Sequence, residues 1–443
     1  MSLKDRRLYK IFNELRATVT SKDRMKEVIR VPLYSNALFL MGASVFSSLI
    51  GFVFWLVAAR FYPDEAVGLA SALISAMGLA VSFSKLGLEL GLVRFLKRHS
   101  EDPKAIINTV FTVGLLASVA AALIFIAGLD LWSPALLFIR ETPLYLFAFV
   151  FFCAVSSLNN LSDHSFIASR RSGFVVASGL IFGILKVILA IALATFLTSF
   201  SIFASWGIGM TAAVIISIFV LLPIAQRGYR FAVTIKKKIL GDMLGYSFAN
   251  YISMLLWGTP ALIFPLMVVN LLGAEANAYF YIGWAVSNVI VMIPQSVTTS
   301  LLAEGSYDET NLKTHILRSL KIIFLLLVPA VVAVLLLADK LLWLFGTQYS
   351  ASATELVRIM TLAVLPLAVN ILYLNIKRVQ KDLKMIVGMP AFIAVISIVL
   401  ALILLPQIGF NGVGIAWLAA HACCAVVIVV NWLWRWRKRN NEL

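Results

Sequence analysis

Residues 174–197 read FVVASGLIFGILKVILAIALATFL, a run in which Lys186 is the only charged residue. A helix needs about 20 apolar residues to cross the hydrocarbon core of a bilayer, which is about 30 Å thick. This stretch therefore predicts a membrane-spanning helix, and the same pattern recurs along nearly the whole chain. The predicted spans are 36–59, 66–86, 105–128, 143–162, 174–197, 202–224, 246–271, 279–302, 318–337, 356–376, 386–405 and 412–434.

The composition agrees with this interpretation. Hydrophobic residues make up 61% of the chain and charged residues 13%, and the mean hydropathy is +0.95. The sequence thus predicts an all-α polytopic membrane protein with twelve transmembrane helices. No stretch is left over for a soluble enzyme domain.

The net charge of +16 is concentrated on alternate connections. The basic residues of the tail 1–33, of 97–104 and of 225–245 all fall on one side, whereas the opposite side carries few cations. Because cytoplasmic loops are enriched in Lys and Arg, both termini are predicted to be cytoplasmic and the protein to lie in the inner, cytoplasmic membrane of the cell. Cations dispersed over so many short segments argue against a nucleic-acid partner.

The chain divides into two similar halves at a basic connection. We predict a cytoplasmic basic tail over 1–33, an N-terminal half of six helices over 34–225, a cytoplasmic linker over 226–245, a C-terminal half of six helices over 246–434, and a basic tail over 435–443. The tail 1–33 carries apolar residues at helical spacing, so an amphipathic helix on the membrane surface and a partly disordered tail both stay open. Short outer turns with Glu65 and Glu275, and small-residue clusters at the last helix of each half, indicate a parallel repeat.

Charged residues inside the membrane are costly and therefore mark functional sites. Lys186 lies in the middle of its span with no acid beside it, and Lys85 and Glu89 lie one helical turn apart at the inner end of span two. Arg94 follows near the cytoplasmic surface, and Asp163 closes span four. Snorkelling of Arg94, a structural Lys85–Glu89 pair and a solvated Asp163 are the plain alternatives. The excess of buried cations favours an anionic ligand, with phosphate as the obvious class.

Amide and aromatic side chains concentrate in the C-terminal half. The candidates for sugar contacts are Tyr251, Trp257, Asn288 and Gln295, because amides meet hydroxyls and ring faces meet the C–H faces of sugars. Bonds between helices and aromatic belts at the membrane surface are the alternative interpretation. Prolines such as Pro260, Pro265 and Pro294 predict breaks in spans seven and eight that would act as hinges.

Enzyme signatures are missing from the sequence. It has no Gly-rich phosphate loop, HExxH motif or nucleophile elbow, so no catalytic residue is predicted. The three cysteines all fall in apolar spans and predict neither a disulfide nor a metal site. We expect no cofactor, although a coupling ion, H⁺ or Na⁺, stays open with Glu89 and Asp163 as the candidate residues.

Three stretches resemble a known superfamily. Residues 58–95, AARFYPDEAVGLASALISAMGLAVSFSKLGLELGLVRF, residues 279–306, YFYIGWAVSNVIVMIPQSVTTSLLAEGS, and residues 409–416, GFNGVGIA, are similar to polysaccharide flippases of the multidrug/oligosaccharidyl-lipid/polysaccharide exporter superfamily. The resemblance implies two six-helix lobes around a central cavity that work by alternating access. It also implies a flippase that moves an oligosaccharide on a polyprenyl pyrophosphate to the outer leaflet, as in O-antigen assembly.

With this substrate, Lys85, Lys186 and Arg94 would hold the pyrophosphate, and membrane lipids and other polysaccharide-assembly proteins would be the partners. Relatives that carry peptidoglycan precursor have cavity arginines in the first and eighth helices, which this chain lacks. A cation-coupled multidrug antiporter is one alternative, although span one has no acid. A membrane-embedded polysaccharide polymerase or ligase is the other.

Overall fold

The computed structural model describes residues 48–98, 102–196, 198–307 and 312–441. Within these ranges the chain is almost entirely helical and contains no strand. The tail 1–33 and most of the first predicted span lie outside the described residues. The long helices are Ser48–Phe61 (α1), Asp64–Ser84 (α2), Leu88–Arg98 (α3), Pro103–Ala127 (α4), Pro143–Ala168 (α5), Ser172–Ala192 (α6), Ser199–Ala225 (α7), Lys237–Leu272 (α8), Ala274–Asn288 (α9), Met292–Tyr307 (α10), Leu312–Trp343 (α11), Thr347–Val379 (α12), Leu383–Ile408 (α13) and Asn411–Asn441 (α14).

Eleven stretches of the described chain are long and apolar enough to cross a membrane, with α9 and α10 forming one of them. The helix α1, which begins at the first described residue, is shorter. The all-α polytopic class is therefore confirmed. The number twelve, the cytoplasmic position of the termini and the boundaries of the two halves stay predictions. We use "inner" for the side with the basic connections and "outer" for the opposite side.

The helix of the second predicted span, 66–86, does not continue as far as Glu89 and Arg94. The helix α2 ends at Ser84, and α3 begins at Leu88 after a turn in which Leu86 and Gly87 have φ values of 52° and 76°. Left-handed backbone is costly for a side chain such as Leu and free for Gly, so the turn is a specific feature of this sequence. The predicted one-turn spacing of Lys85 and Glu89 is therefore wrong, and no ion pair joins them in the described chain.

The proline-rich spans behave differently from one another. The helix α8 continues without a break through Pro260 and Pro265, so the break predicted in span seven is wrong. Span eight is interrupted as predicted, because a 3₁₀ turn over Val289–Val291 separates α9 from α10 just before Pro294. A proline removes one backbone donor, and in α8 the neighbouring turns tolerate that loss.

Two buried hydrophobic clusters form the core. The first joins the N-terminal half to residues of α8, α9, α11 and α12, such as Val269, Ile282 and Phe345. The second consists of C-terminal helices alone and includes Phe264, Met360 and Trp417. The halves are thus packed against each other by part of the C-terminal half, while the rest of that half has a core of its own.

On the outer side, α2 and α9 approach very closely. A Cβ added to Gly68 would lie 1.7 Å from the carbonyl oxygen of Ala274, so only glycine fits there. Asn277 donates from Nδ2 to the Gly68 carbonyl at 2.8 Å and to Ser71 Oγ at 3.0 Å. The Arg60 guanidinium donates to the carbonyls of Leu344 at 2.6 Å and Trp343 at 2.8 Å. These bonds hold the outer ends of the two halves together.

Candidate functional site

Lys186 lies on α6 among three aromatic rings. Its Nζ lies 4.1 Å from the ring centroid of Trp206, 4.6 Å from that of Phe182 and 5.1 Å from that of Phe54. The side chain is 4% exposed and forms no ion pair with any described residue. Cation–π attraction contributes about 2 kcal/mol when the cation is desolvated, so the rings replace part of the lost hydration.

The depth of Lys186 differs from the prediction. The helix α6 ends at Ala192 and not at residue 197, which places Lys186 six residues from the outer end of the helix. At 1.5 Å per residue the Cα therefore lies about 9 Å from that end. Lys186 is within the membrane but nearer its outer face than the sequence indicated.

A second donor without a partner lies beside this ammonium. Trp206 Nε1 is buried and donates to no atom of the described residues. A buried N–H without an acceptor costs about 1–3 kcal/mol. Two adjacent donors, one of them charged, form a site for an acceptor that the described chain does not supply.

Lys85 lies at the helix break on the inner side and is half-buried, whereas Arg94 is exposed on α3. Lys85 forms no ion pair with a described residue. His164 on α5 is close enough to interact electrostatically with both Lys85 and Glu89. The structure therefore distributes the three predicted cations over different depths and does not gather them around one point.

Buried acceptors that have no donor among the described residues lie on the packed helices α3 and α5. Glu89 is 2% exposed and its Oε2 has no hydrogen-bond partner. On α5, which packs against α3, Asn160 Oδ1 and Asp163 Oδ1 are likewise buried and unpartnered. Among the described residues no group of three or more His, Cys, Asp or Glu side chains is arranged to hold a metal ion. A proton or a singly charged ion fits these oxygens better than a multivalent metal.

The C-terminal half contains a pocket between α8, α10 and α12. It has a volume of about 340 Å³ and opens to solvent on one side. Its polar lining consists of Trp257, Gln295, Thr298, Thr299, Asn375 and Arg378. Two of the predicted sugar-contacting residues, Trp257 and Gln295, therefore share one pocket.

The other two candidates lie elsewhere and are engaged in protein contacts. The Tyr251 hydroxyl donates to the Phe83 carbonyl at 2.8 Å, which ties α8 to the inner end of α2. Asn288 donates from Nδ2 to the Trp284 carbonyl at 2.9 Å within its own helix. His421 lies behind Trp257, with 5.9 Å between the ring centroids, and its Nδ1 is 3.0 Å from Asn370 Nδ2.

Trp206, Asn375 and Arg378 are not among the site residues that the sequence predicts. For Asn375 and Arg378 the sequence contains a usable signal, because the two residues are three positions apart and so share a helix face. Nothing in the sequence shows that this face meets Gln295.

The matched folds belong to transporters. The structure resembles "Lipid II flippase MurJ, inward closed conformation", with a TM-score of 0.74, 15% identity, and 89% of this chain and 87% of that chain covered. It also resembles an inward-facing multidrug resistance MATE family transporter of the MOP superfamily, with a TM-score of 0.66, 15% identity, and 88% and 94% covered. A MOP superfamily transporter from Pyrococcus furiosus has a TM-score of 0.64 and 15% identity, with 92% and 96% covered.

Two protein-family models match the sequence of the chain. The model described as MatE matches residues 249–403. No curated protein matches the chain. The resemblance found in the sequence is thus confirmed, and the prediction that the protein is not an enzyme accords with these transporter families. The model described as "Polysaccharide biosynthesis protein" matches residues 33–304, which is more than half of the chain. The chain therefore belongs to the polysaccharide biosynthesis protein family.

Proposed function

We propose that this protein is a flippase that moves a polyprenyl-pyrophosphate-linked oligosaccharide from the inner to the outer leaflet of the cytoplasmic membrane. The observation that carries the proposal is the pair of buried donors, Lys186 Nζ and Trp206 Nε1, that have no acceptor in the described protein. A phosphate oxygen accepts from an ammonium and an N–H by charge-assisted hydrogen bonds. Membership of a polysaccharide biosynthesis family makes a glycan-bearing phosphate the natural ligand.

The three cations give the headgroup a route. Arg94 lies at the inner surface, Lys85 at the inner helix break and Lys186 towards the outer face. A diphosphate that moves outward would thus meet a cation at each depth, which lowers the electrostatic cost of crossing. The prenyl tail stays in the surrounding lipid, and the two halves alternate between inner and outer openings.

The aromatic cage around Lys186 responds to such a movement. Phe54 belongs to α1, whereas Phe182 is on the same helix as Lys186 and Trp206 is on α7. A shift of α1 against α6 would remove one ring and expose the ammonium to the cavity. The cage then holds the cation while the headgroup is absent and releases it to bind phosphate.

Glu89 and Asp163 are proposed to couple transport to H⁺ or Na⁺. Glu89 Oε2 and Asp163 Oδ1 are buried and have no hydrogen-bond partner among the described residues, and the helices that carry them, α3 and α5, pack against each other. Binding of a cation there would neutralise the acids, and its release would change the local charge at the inner end of the route. Glu89→Gln should uncouple transport from the gradient and leave downhill movement of the lipid intact.

A cation-coupled multidrug antiporter is the second candidate. The MatE model matches residues 249–403, and Glu89 and Asp163 supply buried acids. Under this alternative, cells that express the protein gain resistance to cationic drugs. Under our proposal they do not, because the cations Lys85 and Lys186 repel such drugs.

The test measures whether each variant restores export of surface polysaccharide in cells that lack the gene for this protein. Lys186→Met removes the charge and keeps the unbranched side chain in its cage, and Lys340→Met changes an exposed lysine at the outer end of α11. We expect Lys186→Met to reach the membrane at normal levels and to abolish export, while Lys340→Met restores it. Full export by Lys186→Met would refute the role of Lys186.

A further inference from the structure

The pocket in the C-terminal half lies on the inner side of the membrane. Arg378 is the penultimate residue of α12, the connection that follows carries Lys381, and Lys384 lies in the first turn of α13. Thr299 closes the span formed by α9 and α10 on the same side, and Trp257 is within the inner half of the span of α8. With a volume of about 340 Å³, the pocket falls in the size range of small-molecule sites.

The Arg378 guanidinium has no acceptor among the described residues, although it is half-buried. Two other arginines of the described chain are engaged. Arg60 donates to two backbone carbonyls, and Arg140 forms a two-pronged pair with Asp130 at 2.6 and 2.9 Å. A planar fork of five donors that stays open inside a pocket matches a carboxylate or phosphate.

The groups around Arg378 are suited to a hydroxylated ligand. The Gln295 amide forms no hydrogen bond to a described residue. Asn375 donates from Nδ2 to the Ile371 carbonyl at 3.0 Å, and its Oδ1 accepts from no described residue. Thr299 donates to the Gln295 carbonyl at 2.8 Å, so its oxygen lone pairs remain available. Trp257 adds a ring face, which packs well against the C–H face of a sugar.

We infer that this pocket binds the phosphate and the first sugar of the lipid-linked substrate. The inference rests on the proposed function and adds to it a second anion-binding site, in the C-terminal half and separate from Lys186. Arg378 binds the phosphate as a bidentate donor. Gln295, Asn375 and Trp257 contact the sugar, so the pocket selects a glycosylated phosphate over a bare one.

An anion-binding site in each half serves alternating access. The C-terminal site is on the inner side and Lys186 lies towards the outer face, so the headgroup can be captured by one half and passed to the other. Because Arg378 is near the headgroup region, a bulk phospholipid is the competing source of phosphate. A phospholipid has no sugar for Gln295 to contact, and this difference separates the two sources.

The experiment measures binding to the purified full-length protein in nanodiscs of zwitterionic lipid by isothermal titration calorimetry. The probes are farnesyl diphosphate, farnesyl diphosphate bearing N-acetylglucosamine, and short-chain phosphatidylglycerol. All titrations use the Lys186→Met background, so that the heat comes from the C-terminal site. The variants are Arg378→Gln and Gln295→Ala, and the control is Lys384→Gln, an exposed cation on the same side.

We expect Arg378→Gln to weaken binding of both diphosphate probes about 10- to 100-fold, as the loss of a charged hydrogen bond requires. Gln295→Ala weakens only the sugar-bearing probe, about 3- to 10-fold, and Lys384→Gln binds as the parent does. Equal binding by Arg378→Gln and Lys384→Gln would overturn the inference. So would loss of all binding on Lys186→Met, or phosphatidylglycerol binding as tight as the glycosylated probe.

Failure of this inference can be told apart from failure of the proposed function. If the pocket is not a binding site, the Arg378 titrations are unchanged while wild-type cells still export polysaccharide. If the protein is not a flippase, export does not depend on it, whatever the titrations give. A thermal unfolding midpoint for Arg378→Gln within about 2 °C of the parent shows that any loss of binding is not loss of fold.

Discussion

At the scale of single residues, the membrane core holds donors and acceptors that the protein leaves open. Among the described residues, Lys186 Nζ and Trp206 Nε1 have no acceptor, and Glu89 Oε2 and Asp163 Oδ1 have no donor. Each open group destabilises the fold by about 1–3 kcal/mol. These positions therefore lower the stability of the fold, and such a loss is expected at a site that binds a ligand.

Trp206→Phe separates stability from function. Phenylalanine keeps a ring beside Lys186 and removes the unpartnered N–H, so the free energy of unfolding should stay the same or rise by up to about 1–3 kcal/mol. Export should fall, because the phosphate loses one donor. Thermal unfolding in detergent and polysaccharide export test the two parts. A stability loss with normal export would contradict the ligand role of Trp206.

A surface pair gives a prediction for pH. Lys236 donates to Asp102 Oδ2 at 2.7 Å, and this bond, with a backbone N–H bond from Ala105, lowers the pKa of Asp102 below its usual value. The carboxylate form is thus favoured by folding. Its stabilisation is present above the unfolded pKa of about 4 and is lost as the pH falls through the lowered folded pKa.

Asp102→Asn keeps a capping side chain at the start of α4 and removes the charge. We expect a loss of at most about 1 kcal/mol near pH 6, since both side chains are half-exposed. The difference between variant and wild type should shrink towards about pH 3. Thermal unfolding followed by tryptophan fluorescence measures it, and a difference that grows on acidification would contradict the sign.

The residues of the site were only partly predictable. A lysine without an acid in an apolar run is visible in sequence, so Lys186 was found. Its cage was not, because Phe54 and Trp206 lie on other helices, α1 and α7, and the sequence does not show how these helices pack against α6. Arg378 was not predicted because cations at the inner surface are common. Only the packing of α12 against α10 distinguishes it from the others.

At the scale of elements, hydrophobic runs located the helices well and failed where backbone conformation decides. The sequence gives no sign that a separate helix, α3, starts at Leu88, because the break depends on a left-handed conformation of Leu86 that leucine seldom adopts. Pro260 and Pro265 predicted a break in α8 that is absent. Apolar surroundings tolerate a missing backbone bond when neighbouring turns are well packed, and sequence does not report that packing.

The contact between α2 and α9 tests the role of one glycine. Gly68→Ala would place a Cβ 1.7 Å from the Ala274 carbonyl oxygen, so the two helices must separate. We expect a loss of about 1–3 kcal/mol from overpacking, measured as a lower unfolding temperature. Gly258→Ala is the control, because a Cβ there meets nothing within 4 Å. Equal unfolding temperatures for both variants would contradict the close approach.

At the scale of the whole molecule, the outer ends of the two halves are tied by polar bonds. The Tyr279 hydroxyl lies 2.8 Å from both Asp64 Oδ2 and Glu275 Oε1. A hydroxyl has one hydrogen, so it donates to one carboxylate at a time. Alternating access requires the outer end to open, and a shared hydroxyl is easier to release than two independent bonds.

Tyr279→Phe should favour opening of the outer side. The variant leaves Asp64 and Glu275 without their common donor, and their like charges then repel each other. Hydrogen–deuterium exchange of peptides from the outer end of α2 should become faster, while exchange around Tyr251 at the inner contact stays unchanged. Slower or unchanged exchange at the outer end would contradict the role of this contact.

The central claim is that the protein moves a glycosylated lipid diphosphate across the bilayer. The most direct measurement reconstitutes the purified protein in liposomes with a fluorescent lipid-linked oligosaccharide and follows its sidedness with a membrane-impermeant quencher. We predict that wild type and Lys340→Met move the lipid between leaflets, whereas Lys186→Met and Arg378→Gln do not exceed protein-free liposomes. Movement by Lys186→Met at the wild-type rate, or none by wild type, would contradict the account.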